Sequence, residues 1–177
     1  IGFTCTGTFQ LWLNCAQNFA KENVGWADPS IMQTYYSAGT MLALVVTALL
    51  TRKIKDVRFI LGYPVICLVT MIAVLVGKSQ TLMIAGAFLI GWAGAGGLLQ
   101  IATSVCNMLF PKIKGTVTAL VMIASSLCNY TILTAASKMQ PAQVMVMNIV
   151  LTAVGVLLGL FVNLRYTKMV EQAQADN

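Results

Sequence analysis

Six apolar runs, 2–20, 31–51, 59–77, 82–109, 116–137 and 144–164, occupy most of the 177 residues. A single water-soluble core of this size cannot bury that many apolar faces at once. As a helix, the run 59–77 would extend about 28 Å at roughly 1.5 Å per residue, close to the hydrocarbon thickness of a bilayer. Polar interruptions fall at Lys21–Ser30, Arg52–Arg58, Lys78–Thr81, Phe110–Gly115 and Lys138–Gln143. The expectation is an all-α polytopic membrane protein with six transmembrane helices. Composition agrees: 58% of residues are hydrophobic and 9% charged, against roughly a quarter charged in an ordinary soluble domain.

The same residues exclude several chemistries. There is no histidine, and the five acids (Glu22, Asp28, Asp56, Glu171, Asp176) all fall in expected loops or the tail. A zinc site needs clustered Cys, His or carboxylate ligands, and none converge. Acid–base hydrolysis within the membrane needs a titrating group that no run supplies. No catalytic residue, metal or cofactor is therefore expected, and the chain does not read as an enzyme. Cys5, Cys15, Cys67, Cys106 and Cys128 lie inside apolar runs without CxxC spacing, so they read as buried small hydrophobes. The net charge of +6 does not imply nucleic acid, because the basic residues flank the runs, where membrane topology accounts for them.

Those charges also give an orientation. The gaps after the second, fourth and sixth runs collect Arg52, Lys53, Lys55, Arg58, Lys112, Lys114, Arg165 and Lys168, whereas the others hold Lys21, Lys78 and Lys138. This asymmetry predicts that both ends of the chain are cytoplasmic in a cell membrane, plasma or inner. Trp26, Tyr35 and Tyr36 would anchor the outer boundary, Tyr63 and Tyr166 the inner one. The sequence opens with Ile1 directly inside a run, as expected of a fragment that lacks its preceding segment. Glu171–Asn177 reads as a natural carboxyl end.

Polar side chains inside bilayer spans are costly, so their arrangement carries information. At about 100° per residue, Gln10, Asn14, Gln17 and Asn18 share one arc of the first run, with Trp12 pointing away. Gly96, Gly97, Gln100, Thr103, Ser104 and Asn107 share a similar arc of the fourth, with Trp92 at its edge. A shift of 90 residues superimposes Gly7 on Gly97, Gln10 on Gln100 and Gln17 on Asn107. Fainter polar faces mark the second run (Gln33, Tyr36, Ser37, Thr40, Thr47, Thr51) and the fifth (Ser126, Asn129, Tyr130, Ser137). The third and sixth are nearly all aliphatic. The order wet, mixed, dry, repeated once, is expected of two three-helix inverted repeats, 1–81 and 82–164, with a tail at 165–177. Gly155 and Gly159 form a GxxxG that reads as helix packing. The sequon at Asn129 lies inside a run, where glycosylation is not expected.

The layout resembles the carboxyl-terminal half of a major facilitator superfamily transporter over nearly the whole chain. The specific segments are the basic loop Thr51–Arg58 and the turn Pro111-Lys112-Ile113-Lys114-Gly115-Thr116-Val117-Thr118-Ala119-Leu120. The loop keeps the family's basic cluster but lacks both expected glycines and displaces Asp56. The turn resembles the short cytoplasmic connection between the family's tenth and eleventh helices. The resemblance implies an absent amino-terminal six-helix half, a small-molecule substrate bound between halves near the midplane, and access that alternates by rocking. It assigns substrate contact to Gln10, Asn14, Gln17, Gln100, Thr103 and Asn107, with Trp92 as an apolar wall and Tyr36, Asn129 and Tyr130 as secondary candidates. No Asp, Glu, Lys or Arg lies deep in a run, so this half by itself neither relays protons nor neutralises a charged solute. Two other readings remain open at this point: a self-contained six-helix channel and a non-transporting membrane scaffold.

Overall fold

The computed structural model describes the backbone of residues 2–50 and 56–175 and the side chains of 2–49 and 58–166. Most of the basic loop (Thr51, Arg52, Lys53, Ile54 and Lys55), the side chains of Lys168 and Glu171, and Asp176 lie outside the described residues.

The described chain is all-helical. It forms α1 (Gly2–Asn23), α2 (Ile31–Leu50), α3 (Asp56–Gly77), α4 (Gln80–Leu109), α5 (Lys114–Ala136) and α6 (Pro141–Ala175). Among the described residues four stretches, Arg58–Gly77, Gln80–Leu109, Pro111–Ala136 and Pro141–Tyr166, are long and apolar enough to cross a membrane. The first two helices match them in length, but α1 carries Gln10, Asn14, Gln17 and Asn18, and α2 opens with Gln33, Thr34, Tyr35 and Tyr36. Some helix starts have a local cause. Pro141 starts α6, where its missing N–H costs nothing. The Ser79 hydroxyl accepts from the Leu82 N–H and caps α4. Before α2, hydrogen bonds from Ser30 hold the Asp28 carboxyl below its usual range. The last helix continues to Ala175, so the tail expected from residue 165 is helical over most of its length.

Packing follows the small residues. The helix α1 lies against α5 and α6, α3 against α6, and α2 against α4. Where α2 meets α4 the backbones touch: a Cβ on Gly39 would strike the Phe88 carbonyl, and one on Gly91 the Tyr36 carbonyl. At this contact the Thr40 hydroxyl lies 3.0 Å from the Tyr36 carbonyl oxygen and 3.2 Å from that of Gly91. Along the seam α4 widens into a π-helix over Gly91–Leu98, a segment with four glycines and therefore few side chains to resist it. The GxxxG of α6 is a packing device: Gly159 sits where a Cβ would stand 2.6 Å from the Ile60 carbonyl oxygen. Pro64 leaves that carbonyl without its helical donor.

Phe19, Leu11, Ile60, Met71, Met83 and Ile90 fill the interior. Trp12 is buried in it, as its position off the polar arc predicts. Tyr63 is not a boundary anchor. It is 4% exposed, packed between Phe59 and Trp92, and its hydroxyl lies 2.6 Å from Thr47 Oγ1. Tyr36 is likewise largely buried, whereas Tyr35 is exposed. Cys5, Cys67 and Cys128 are buried, Cys15 and Cys106 half-buried, and all five are free thiols.

Gly39→Ala or Gly91→Ala should lower the midpoint of thermal unfolding in detergent, at a cost of roughly 1–3 kcal/mol for forcing a side chain into a filled seam. Gly62→Ala and Gly115→Ala, where a Cβ meets nothing within 4 Å, should not destabilise the protein. Equal destabilisation by both pairs would mean that the α2–α4 contact is not what limits these positions.

Candidate functional site

A cavity of about 980 Å³ opens between the second half of α4 and the first half of α5, bounded by Pro111 in the turn and Tyr166 of α6. Its polar wall is one face of α4: Gln100, Thr103, Ser104 and Asn107. From Leu99 the helix is α-helical again, so these residues recur at three- and four-residue spacing on one side. The glycines extrapolated to the same arc do not join them. A Cβ on Gly96 would strike Ala43, and one on Gly97 would stand 3.0 Å from the Tyr63 ring. The π-helical segment changes the rotation per residue, which carries the glycines into the bundle and leaves the amides facing the cavity.

Hydrogen-bond capacity can be counted along this wall. Gln100 is exposed and makes no side-chain hydrogen bond to the described residues, so both amide protons and its carbonyl are available. Asn107 and Thr118 of α5 hold each other: the amide Nδ2 donates to Thr118 Oγ1 at 3.1 Å, and that hydroxyl donates to Asn107 Oδ1 at 3.2 Å. One amide proton of Asn107 remains. Thr103 donates to the Leu99 carbonyl at 2.8 Å, which leaves its oxygen as an acceptor. The wall thus offers donors and acceptors for a hydroxyl- or amide-bearing solute. Among the described residues its one charged side chain is Lys114.

The other residues singled out from the sequence lie elsewhere. Asn14 donates to the Gln10 carbonyl at 2.8 Å and sits 3.4 Å from the Gln10 side-chain oxygen. With Asn18 it lines a separate cleft of about 330 Å³ beside Ser137 and Pro141, at the far end of α5. Gln17 lies with Gln33, Trp12 and Tyr36 in a crevice of about 10 Å³, room for no more than a water. Trp92 packs against Tyr63 with 6.1 Å between rings, and its indole N–H is buried without a partner. Asn129 has its side-chain oxygen buried and unpaired, and Tyr130 is 76% exposed. The structure therefore brings Gln100, Thr103 and Asn107 together and keeps Gln10, Asn14 and Gln17 off that wall.

Sequence reasoning missed Thr118 and the placement of Lys114. Thr118 lies one helical turn beyond Lys114, so that once the turn is placed both flank the end of α4. A second polar group is sealed. Thr8 and Thr152 hydroxyls lie 2.9 Å apart between α1 and α6, and Asn148 donates to the Thr8 carbonyl at 3.0 Å. Asn148 and Thr152 are almost wholly buried. They join helices and do not line a path.

Curated relatives decide the family. The uncharacterized MFS-type transporter YfkL of Bacillus subtilis is 32% identical over 96% of this chain, which covers 44% of that protein. The chain is homologous to part of a major facilitator superfamily transporter. The inner membrane transport protein YdiM of Escherichia coli is 31% identical over 94% of this chain and 43% of its own length. YdiN, also an inner membrane transport protein of Escherichia coli, is 28% identical over 74% of this chain and 32% of its own length. The chain thus spans less than half the length of these superfamily relatives. No family model matches, and no solved structure gives a significant match. With the apolar helices, these relatives identify a multi-pass membrane protein of a transporter lineage.

Thr118→Val should remove both bonds to Asn107 and lower stability by about 1 kcal/mol, and Thr118→Ser should restore it. Thermal unfolding of the purified full-length protein is the measurement.

Proposed function

We propose that the chain is the carboxyl-terminal half of a secondary transporter that moves a small polar solute by alternating access. In this reading α1 to α6 are six spans in two inverted three-helix repeats, 1–81 and 82–164. Residues 165–177 form a cytoplasmic tail, and both ends of the chain face the cytoplasm in a plasma or inner membrane. The partners are the solute, the lipid bilayer and an amino-terminal six-helix half. The observation that carries the reading is the cavity of about 980 Å³ whose wall is a row of uncharged hydrogen-bonding groups on one helix. A dry seam would leave such amides unsatisfied, whereas a water-filled path serves them and can exchange water for solute hydroxyls.

Gln100, Thr103 and Asn107 are the primary contacts. Gln10, Asn14 and Gln17 meet the solute at the opposite end of the path, where Asn14 borders the smaller cleft. Trp92 contributes an apolar ring and an unpaired N–H, and Tyr36, Asn129 and Tyr130 are of second rank. The relatives' transport names support the class of activity.

Uptake from a panel of polar solutes, compared with vector controls, would identify what the full-length protein carries. Gln100→Ala and Asn107→Ala should each reduce that uptake about tenfold, the equivalent of roughly 1.4 kcal/mol of binding. Asn148→Ala, in the sealed seam, should reduce stability while uptake per folded molecule stays near wild type. Unchanged uptake in both cavity variants would overturn the site.

A further inference from the structure

We propose that the α4/α5 cavity takes a solute bearing a negative charge, drawn and held by the Lys114 ammonium in its wall; this rests on the reading of that cavity as the solute path. In the sequence Lys114 is one of several loop cations accounted for by membrane topology, and the expectation that this half neutralises no charged solute considered only cations deep in a run. The structure places Lys114 beside Asn107 and Ser104, as part of the wall. Among the described residues no carboxylate shares that lining and Lys114 has no ion-pair partner. The two acids whose side chains are described, Glu22 and Asp28, belong to the connection between α1 and α2. That connection lies at the other end of the bundle, because Asn14 and Asn18 meet the far end of α5. At about 1.5 Å per residue, the 23 residues of α5 separate the two ends by roughly 33 Å, several Debye lengths at physiological salt.

A cation without an ion pair among the described residues, in a cleft lined in part by Leu99, Met108, Met122 and Tyr166, raises the local concentration of anions, because low-dielectric walls focus its field. The neutral groups deeper along α4 then suit the uncharged part of the same solute. Gln100 and Asn107 donate and Thr103 accepts, a set matched to hydroxyl or carbonyl groups. The solute class is therefore a small carboxylate- or phosphate-type anion that also carries neutral polar groups.

The charge preference of the cavity can be measured with thiol reagents in place of the solute. Full-length protein carrying Ser104→Cys is treated in parallel with a sulfonate-bearing and a trimethylammonium-bearing methanethiosulfonate. Modification at position 104 is read by peptide mass spectrometry, which separates it from the native thiols. Each rate is divided by that of the same reagent with a free small thiol. The anionic-to-cationic ratio should exceed one. It should fall about three- to tenfold with Lys114→Gln, fall further with Lys114→Glu, and return with Lys114→Arg. Raising salt to 1 M, where the Debye length is about 3 Å, should remove most of the preference. Gln100→Cys gives a second reporter should Ser104→Cys fold poorly. Modification by both reagents, with a ratio that Lys114→Gln leaves unchanged, would overturn the anion assignment and leave the path intact. Modification by neither would overturn the path itself.

Discussion

Within hydrocarbon, every polar group must be bonded inside the protein or kept wet, and this constraint sorts the side chains of the bundle. Seven threonines satisfy themselves. Thr8, Thr40, Thr70, Thr103, Thr131, Thr134 and Thr152 each lie within bonding distance of the carbonyl one turn earlier, so a Thr in a span needs no partner helix. A second set is sealed between helices: Thr47 with Tyr63, Thr6 with Ser125, and Thr8 with Thr152 and Asn148. What remains are the amides. Their two donors and carbonyl exceed what a neighbouring turn can supply, and on α4 they face open space.

That sorting depends on the seam between α2 and α4. Gly39 and Gly91 let the two backbones meet, and the π-helical Gly91–Leu98 fits along the contact. Because the π segment turns less per residue than an α-helix, it resets the azimuth of everything after it. The first half of α4 is thereby committed to α2 and α3, while Gln100, Thr103 and Asn107 face the cleft toward α5. A side chain larger than hydrogen at Gly91 would separate the helices, so the fold and the cavity share one close contact.

The sequence made the helices legible because apolar runs bounded by charged or Pro- and Gly-bearing breaks have little alternative in this composition. The amide row of α4 was legible for the same periodic reason, and so were Trp12 as a packing residue and the GxxxG of α6 as a contact. Rotation was not legible. An even 100° per residue carried through Gly91–Leu98 puts Gly96 and Gly97 with the amides, and only the backbone reveals the wider turn. Likewise, Tyr63 near an expected boundary reads as an interfacial anchor, but a stack with Phe59 and Trp92 is a tertiary fact that hydropathy does not encode. Asn148 on a nearly aliphatic helix gave no hint of its partner, since Thr8 lies 140 residues away.

The two amide-bearing helices look alike in sequence and differ in surroundings. Beside α1, the indole of Trp12 with Met32 and Tyr36 closes the crevice at Gln17 to about 10 Å³. Beside α4, Pro111 and the short 3-10 turn set α5 apart, and the space at Gln100 to Asn107 is about 980 Å³. At Gln17 the space is filled by aromatic bulk, while Asn14 and Asn18 on the same helix border the cleft of about 330 Å³ toward the far end of α5. Similar polar faces thus meet unlike surroundings, because the bulk of the neighbouring side chains and the geometry of the turn, not the amides themselves, set how much space each helix faces.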